Sequence, residues 1–254
     1  MKIAERKNIA IEAAIKSGKI LLKNFRRPIT TKFKGDKSLV TNIDLKVEDA
    51  IVKLIKGHFT KDSILSEENR YLRRGAEFRW IIDPLDGTHN YIHGIDAFGT
   101  SIALEFEGEV VFGAICMPVP NELYTAGKGE GAYRNGKKIS VSKRRLNQTT
   151  LIYDSSIRYN KKPMLAALDR LVDKVFNVRM FGSTARHLSD IASGKVEVDV
   201  EFNDKVWDFA AGLLLVEEAG GKSTDFQGNK WSTKTKGYIA SNGIVHDDIL
   251  RLIK

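Results

Sequence analysis

The run Trp80-Ile81-Ile82-Asp83-Pro84-Leu85-Asp86-Gly87-Thr88-His89-Asn90 constrains this chain more than any other stretch. An apolar segment ends there in two carboxylates, a tight turn and a hydroxyl. Its apolar part reads as a buried strand. Pro84 biases the residue before it toward extended geometry, so Asp83 is expected to close that strand. Gly87 frees the backbone just before an expected helical turn at Thr88. Two acids then flank a cradle of phosphate size at a helix start.

At 254 residues the chain is long enough for one large domain or two closely packed halves. A formal charge of +9 suits nucleic acid, an acidic membrane surface or phosphorylated metabolites, and does not choose among them. The single cysteine, Cys116, lies in the apolar run Val110 to Val119 and reads as a buried structural thiol in a reducing cytoplasm. Lys2, Glu5, Arg6 and Lys7 come before any sustained apolar run, so the start lacks the shape of a secretory signal, and no segment approaches a membrane span. A cytoplasmic protein without membrane contact is expected.

Taken in order, Ile11, Ala14, Ile15, Gly18, Leu22 and Phe25 predict a first helix ending near Arg26-Arg27-Pro28. From Ile29 to Val40, with Lys32, Lys34, Gly35, Asp36 and Lys37, the chain reads as an exposed, mobile loop able to close over a site. Thr41-Asn42-Ile43-Asp44 caps a second helix carried by Val47, Ile51, Leu54 and Ile55. Strands Ser63 to Leu65 and Phe78 to Ile82 each deliver acids at their carboxyl ends, at Glu67 and at Asp83. Strands follow at Thr100 to Phe106, Val110 to Cys116, Leu123 to Thr125 and Gly131 to Tyr133. Gly127, Gly129 and Gly131 precede a turn at Asn135-Gly136 and read as hairpin glycines, not a dinucleotide loop.

The basic stretch Lys137 to Arg145 marks the expected boundary between residues 1–146 and 147–254. Beyond it strand and helix alternate: Thr150 to Tyr153, Pro163 to Val172, Val178 to Phe181, Thr184 to Ser193 and Val196 to Phe202. Val206 to Ala219 is a strongly apolar helix stopped by Gly220-Gly221. A strand near Tyr238 to Ala240 and a helix from Val245 close the chain.

Five acids fall at the ends of these elements: Asp44, Glu67, Asp83, Asp86 and Asp208. Brought together, they need protons or a hard cation, and oxygen-only ligation favours Mg²⁺ or Mn²⁺ over Zn²⁺. Taken alone, Asp44 and Asp208 favour helix capping and Glu67 a solvated loop acid. A mere turn does not require the second acid and the hydroxyl of Asp83 to Thr88. His89 and His93 lack the glutamate of a zinc protease and read as packed or exposed. Cys116 and Ser155-Ser156 lack the setting of a nucleophile, and the basic runs near Arg26 and Lys143 lack aromatics for base stacking.

These pieces resemble the inositol monophosphatase family, the lithium-sensitive, magnesium-dependent phosphatases that include prokaryotic enzymes acting also on fructose 1,6-bisphosphate. Thr41 to Asp44, Ser66-Glu67-Glu68, Asp83 to Thr88, Gly182-Ser183-Thr184-Ala185 and Trp207-Asp208-Phe209-Ala210-Ala211-Gly212 stand in the family's order along essentially the whole chain. The runs at Asp83 and Trp207 are the specific ones. The resemblance implies an α/β fold, a layered αβαβα sandwich, and a phosphomonoesterase acting on inositol or sugar phosphates.

It implies that Glu67, Asp83 and the Leu85 carbonyl hold one Mg²⁺, that Asp83, Asp86 and Asp208 hold a second, and that a third ion sits near Glu67. Mn²⁺ is a possible substitute. Asp44 with Thr88 would orient and deprotonate the water that attacks phosphorus in line, and the amides of Gly87 and Thr88 would bind phosphate oxygens. Ser183, Thr184, Glu201 and Asp208 match substrate contacts. A homodimer without nucleic-acid or membrane partners is implied as well. Ile43 stands where the family often has a hydroxyl residue, and Arg158, Arg179 and Arg186 are the cations available for a second phosphate. The rivals are a nucleotidase of the same fold acting on adenosine 3',5'-bisphosphate and, in a different class, a nucleic-acid-binding or scaffolding protein.

Overall fold

The computed structural model describes residues 2–35 and 38–253, so Asp36 and Lys37 of the expected loop lie outside the described residues. An eight-stranded sheet has the strand Phe78–Asp86 near its middle, paired in parallel with Ser63–Ser66 and antiparallel with Gly99–Phe106. Glu109–Met117, Glu122–Gly127, Gly131–Arg134 and Lys137–Lys138 continue it as a meander, and Arg70–Tyr71 closes the other edge. A five-stranded sheet orders Asn177–Arg179, Thr150–Tyr153, Val198–Glu201, Tyr238–Ser241 and Lys222–Thr224. The last of these was not legible as a strand.

Alternation along each strand divides the interior into three cores. Trp80, Ile82, Ile102 and Leu104 face the helices Lys2–Asn24 and Asn42–His58. Ile81, Ala103 and Ile115 face the helices Thr184–Ala192 and Val206–Glu218, whose other side meets Ile152, Tyr238 and Ala240 of the small sheet. Leu151, Tyr153, Val198 and Val200 face outward onto the helices Lys161–Val172 and His246–Ile253. The layers therefore run helix, sheet, helix, sheet, helix, as the resemblance implied. The helix Val206–Glu218 is apolar all round because it is the middle layer.

Three local expectations need correction. The strand from Phe78 runs through Pro84 to Asp86, with a register shift between Asp83 and Asp86, so Asp83 does not close it. Such an irregularity accommodates a residue with no N–H to offer the ladder. The stretch from Ile29 is not merely a loop: Thr31–Phe33 and Leu39–Thr41 pair as an antiparallel hairpin, favoured by alternating β-branched and aromatic residues. On the first helix the buried face is Ala10, Ala13, Ala14, Ser17 and Leu21, while Ile15 and Leu22 are exposed. Small residues win there because the helix lies close on the sheet: a Cβ on Gly18 would come 2.6 Å from Cys116 Sγ. Cys116 itself is buried, and burial pushes its thiol up to about 11, in keeping with a structural role.

Candidate active site

A cavity of about 450 Å³ opens where strand ends meet helix starts. Glu67, Asp83, Leu85, Asp86, Gly87 and Thr88 line it from the large-sheet side. Ser183, Thr184, Glu201 and Asp208 line it from the other. Asp44 stands behind Thr88, which reaches it through a hydrogen bond. All ten predicted side-chain and backbone positions in and around the pocket are thus brought to one place, together with the eleventh, Asp44.

Local rules explain each placement. Thr41 caps the second helix: its hydroxyl accepts from the amides of Ile43 (3.0 Å) and Asp44 (3.3 Å), while its own amide donates to Asp44 Oδ2 at 2.9 Å. This capping box holds Asp44 buried with Oδ1 left for the Thr88 hydroxyl, 3.1 Å away. The same hydroxyl lies 2.9 Å from the Leu85 carbonyl, so two acceptors compete for one proton. Ile43, at the position where the resemblance implies a hydroxyl residue, is buried in the helix-side core. Gly87 has φ 78°, and a Cβ there would meet the Ala97 carbonyl at 2.7 Å, so the turn between Asp86 and Thr88 requires glycine twice over.

Asp86 accepts from the amides of Thr184 (3.0 Å) and Ala185 (3.1 Å) and from the Ser183 hydroxyl, which ties the opening run to the start of the helix Thr184–Ala192. Asp208 accepts from the Lys205 amide at 2.6 Å and so caps its own helix while facing the pocket.

Crowding and burial shift these acids together. Burial raises Asp83 well above the ordinary carboxylate range, and Glu67, Asp86, Asp208 and Asp44 add to it. Burial pushes Asp86 up to about 6 against the Ser183 bond, and it raises Asp208 well above its usual range, with Asp204 and Glu67 adding. Lys34, on the unexpected hairpin, answers part of this charge: its Nζ lies 2.6 Å from Glu67 and 2.5 Å from Glu68. Burial opposes the ammonium, but Glu67 and Glu68 raise its pKa overall. No three of the predicted ligand acids offer oxygens within 4.8 Å of one another; among the described residues that closeness belongs to His187, Asp199 and Glu201.

His187, Asp199 and Asp204 escaped the sequence reading. The signal was present: in Val196 to Phe202, Glu197, Asp199 and Glu201 alternate, so a buried strand carries three acids on one face. His89 and His93 are exposed, with ring centroids 4.4 Å apart. Arg158, Arg179 and Arg186 do not line the pocket; they donate to Tyr159, Asn177 and Asp190. Among the described residues no helix is long and apolar enough to cross a membrane.

The family model described as "Inositol monophosphatase family" matches residues 2–254. A Pasteurella multocida protein named Nus factor SuhB is 37% identical over 240 residues, 92% of this chain and 90% of its own length. A Thermotoga maritima fructose-1,6-bisphosphatase/inositol-1-monophosphatase is 33% identical over 251 residues, 98% of this chain and 96% of its own. The solved inositol monophosphatase from Anabaena superposes with a TM-score of 0.88 at 32% identity, covering 100% of this chain and 96% of that one.

Proposed function

The chain belongs to the inositol monophosphatase family, whose members are metal-dependent phosphatases, and from that membership we propose a Mg²⁺-dependent phosphomonoesterase hydrolysing inositol 1-phosphate, fructose 1,6-bisphosphate or both. The observation that carries this reading is the meeting of Asp83, Asp86 and Asp208 with the Thr88–Asp44 pair around one cavity. The donor set fits the ion: Glu67, Asp83, Asp86, Asp208 and the Leu85 carbonyl offer oxygen only, which a hard cation prefers. When bound, two or three such ions would neutralise phosphate charge and lower the pKa of the attacking water.

The chain's own groups do the rest. Asp44 is kept an acceptor by the Thr41 amide, so it can take the Thr88 proton as Thr88 takes one from water. The Gly87 and Thr88 amides, at the start of the short helix Thr88–Ile92, receive phosphate oxygens. Ser183, Thr184 and Glu201 meet the hydroxyls of the leaving alcohol. Glu67, paired with Lys34 here, would be one of the residues to hold the cation. Lithium inhibition, a cytoplasmic location, a homodimer, and division into 1–146 and 147–254 belong to the same reading.

Phosphate release from inositol 1-phosphate, fructose 1,6-bisphosphate and adenosine 3',5'-bisphosphate, with Mg²⁺ titrated, tests it. Turnover of the first two without the third supports the proposal. Turnover of the nucleotide alone would replace it with the nucleotidase reading. Relatives named Nus factor SuhB favour a second reading, action as a Nus factor, and salt-sensitive RNA binding without phosphate release would favour that one.

A further inference from the structure

Glu201 lines the cavity from the strand Val198–Glu201, and a histidine of the helix Thr184–Ala192 holds its carboxylate. Ser183 caps that helix, and His187 follows it by one turn. Side chains on a helix lean toward its start, so the imidazole folds back to Ser183. The Ser183 amide donates to His187 Nε2 at 3.4 Å, which places the ring proton on Nδ1. Nδ1 lies 3.0 Å from Glu201 Oε1, an ordinary distance for a donated hydrogen bond. Burial opposes a second ring proton and Asp199 favours one, the acids prevailing; with one proton or two, Nδ1 keeps its own.

Asp199 stands two residues before Glu201 on the same face of the strand, with Oδ1 3.4 Å from Nδ1 and no hydrogen bond of its own. Its other oxygen lies 3.2 Å from the Tyr238 hydroxyl, which fixes it behind the ring as a negative charge. The nearer acid, Glu201, takes the N–H. The side chains of His187, Glu201 and Asp199 are 2%, 3% and 0% exposed, so water does not compete for that proton.

We propose that His187 is a positioning residue for substrate, whose Nδ1–H fixes the Glu201 carboxylate in the orientation that meets a hydroxyl of the leaving alcohol. The proposal rests on the phosphatase reading and on Glu201 as a substrate contact. A carboxylate free to rotate loses that freedom each time substrate binds; one fixed by a buried N–H lost it on folding. The same residue ties this wall to the opposite one, because Ser183, whose amide it accepts, gives its hydroxyl to Asp86. Loss of the Nδ1 donor should therefore weaken binding of esters whose alcohol carries further hydroxyls, and spare those whose alcohol carries none.

The test compares His187→Asn, which keeps a donor near the place of Nδ1, with His187→Gln, which keeps polar atoms only near Nε2. With inositol 1-phosphate, His187→Gln should raise KM about tenfold with kcat little changed, and His187→Asn should restore most of the loss. With phenyl phosphate both should match the wild type. In a Glu201→Gln background the change from His187 to Gln should add little. Equal KM values for the Asn and Gln variants on inositol 1-phosphate, or an equal rise on phenyl phosphate, overturn the proposal and leave the phosphatase reading standing. A wild-type chain that releases phosphate from neither ester overturns both. Should the variants not fold by circular dichroism, nitrogen NMR of the wild-type histidines decides: a protonated Nδ1 whose signal moves in Glu201→Gln supports the bond, and no such signal overturns it.

Discussion

The acids assigned to the cation and those of the small-sheet side, Glu201 and Asp204 at the wall with Asp199 behind them, meet at one cavity, but their neighbours differ in kind. Asp44, Asp86 and Asp208 are answered by backbone amides at helix starts, and Glu67 by Lys34 on a surface hairpin. Asp199, Glu201 and Asp204 are answered from within, by His187, Tyr238 and Thr184. Amides and a borrowed lysine leave carboxylate oxygens able to change partner, which suits ions that come and go with substrate. Side chains sealed inside the fold hold theirs for good.

The largest effect should come from Asp83→Asn, which removes the most crowded acid of the first set. Mg²⁺-dependent phosphate release should fall by at least about 10³-fold, with circular dichroism unchanged. Undiminished turnover would erase the distinction between the two sets. Thr88→Val keeps the shape and deletes the hydroxyl that joins the cavity to Asp44; a loss on the order of 10²-fold in kcat with little change in KM is expected.

His246 sharpens the contrast from the other side, because the side chains that hydrogen-bond its imidazole are hydroxyls and not acids. Burial, with Lys222 nearby, pushes it down to about 4, and it meets Ser241 and Thr224 at 2.9 Å each. The unfolded chain then binds a proton that the folded chain refuses, so this contribution is complete above about pH 6.5 and disappears as pH falls toward 4. On the order of 2–3 kcal/mol should be lost across that window in urea titrations, and His246→Asn should flatten the slope. The smallest effect belongs to Lys34→Met: without the competing ammonium, the Mg²⁺ concentration for half-maximal activity should drop about two- to fivefold. A rise instead would place Lys34 on the substrate.

The first set was legible and the second was not, for physical reasons. Asp83, Asp86 and Asp208 stand where local rules already ask for comment, at a proline, a positive-φ glycine and a helix start. His187 lies inside a helix and Asp199 inside a strand, where the sequence announces only periodicity. The face each turns inward depends on what the middle layer presents. Lys34 reads in the sequence only as part of an exposed loop able to close over a site, because no local rule ties it to Glu67, 33 residues away. The first helix misled for the converse reason: hydrophobicity marked Ile15 and Leu22, while close approach selected Ala10, Ala13 and Ala14.

The middle layer has a consequence for how the protein is made. Ile81, Ala103 and Ile115 emerge from the ribosome long before the helix Val206–Glu218 that covers them. Until that helix is released, the nascent large sheet has at most the helix Thr184–Ala192 on this apolar face, and the pocket is short of its last acid, Asp208. Completion of the site and burial of that face are therefore one event, and a chain interrupted before Val206 is born both inactive and sticky.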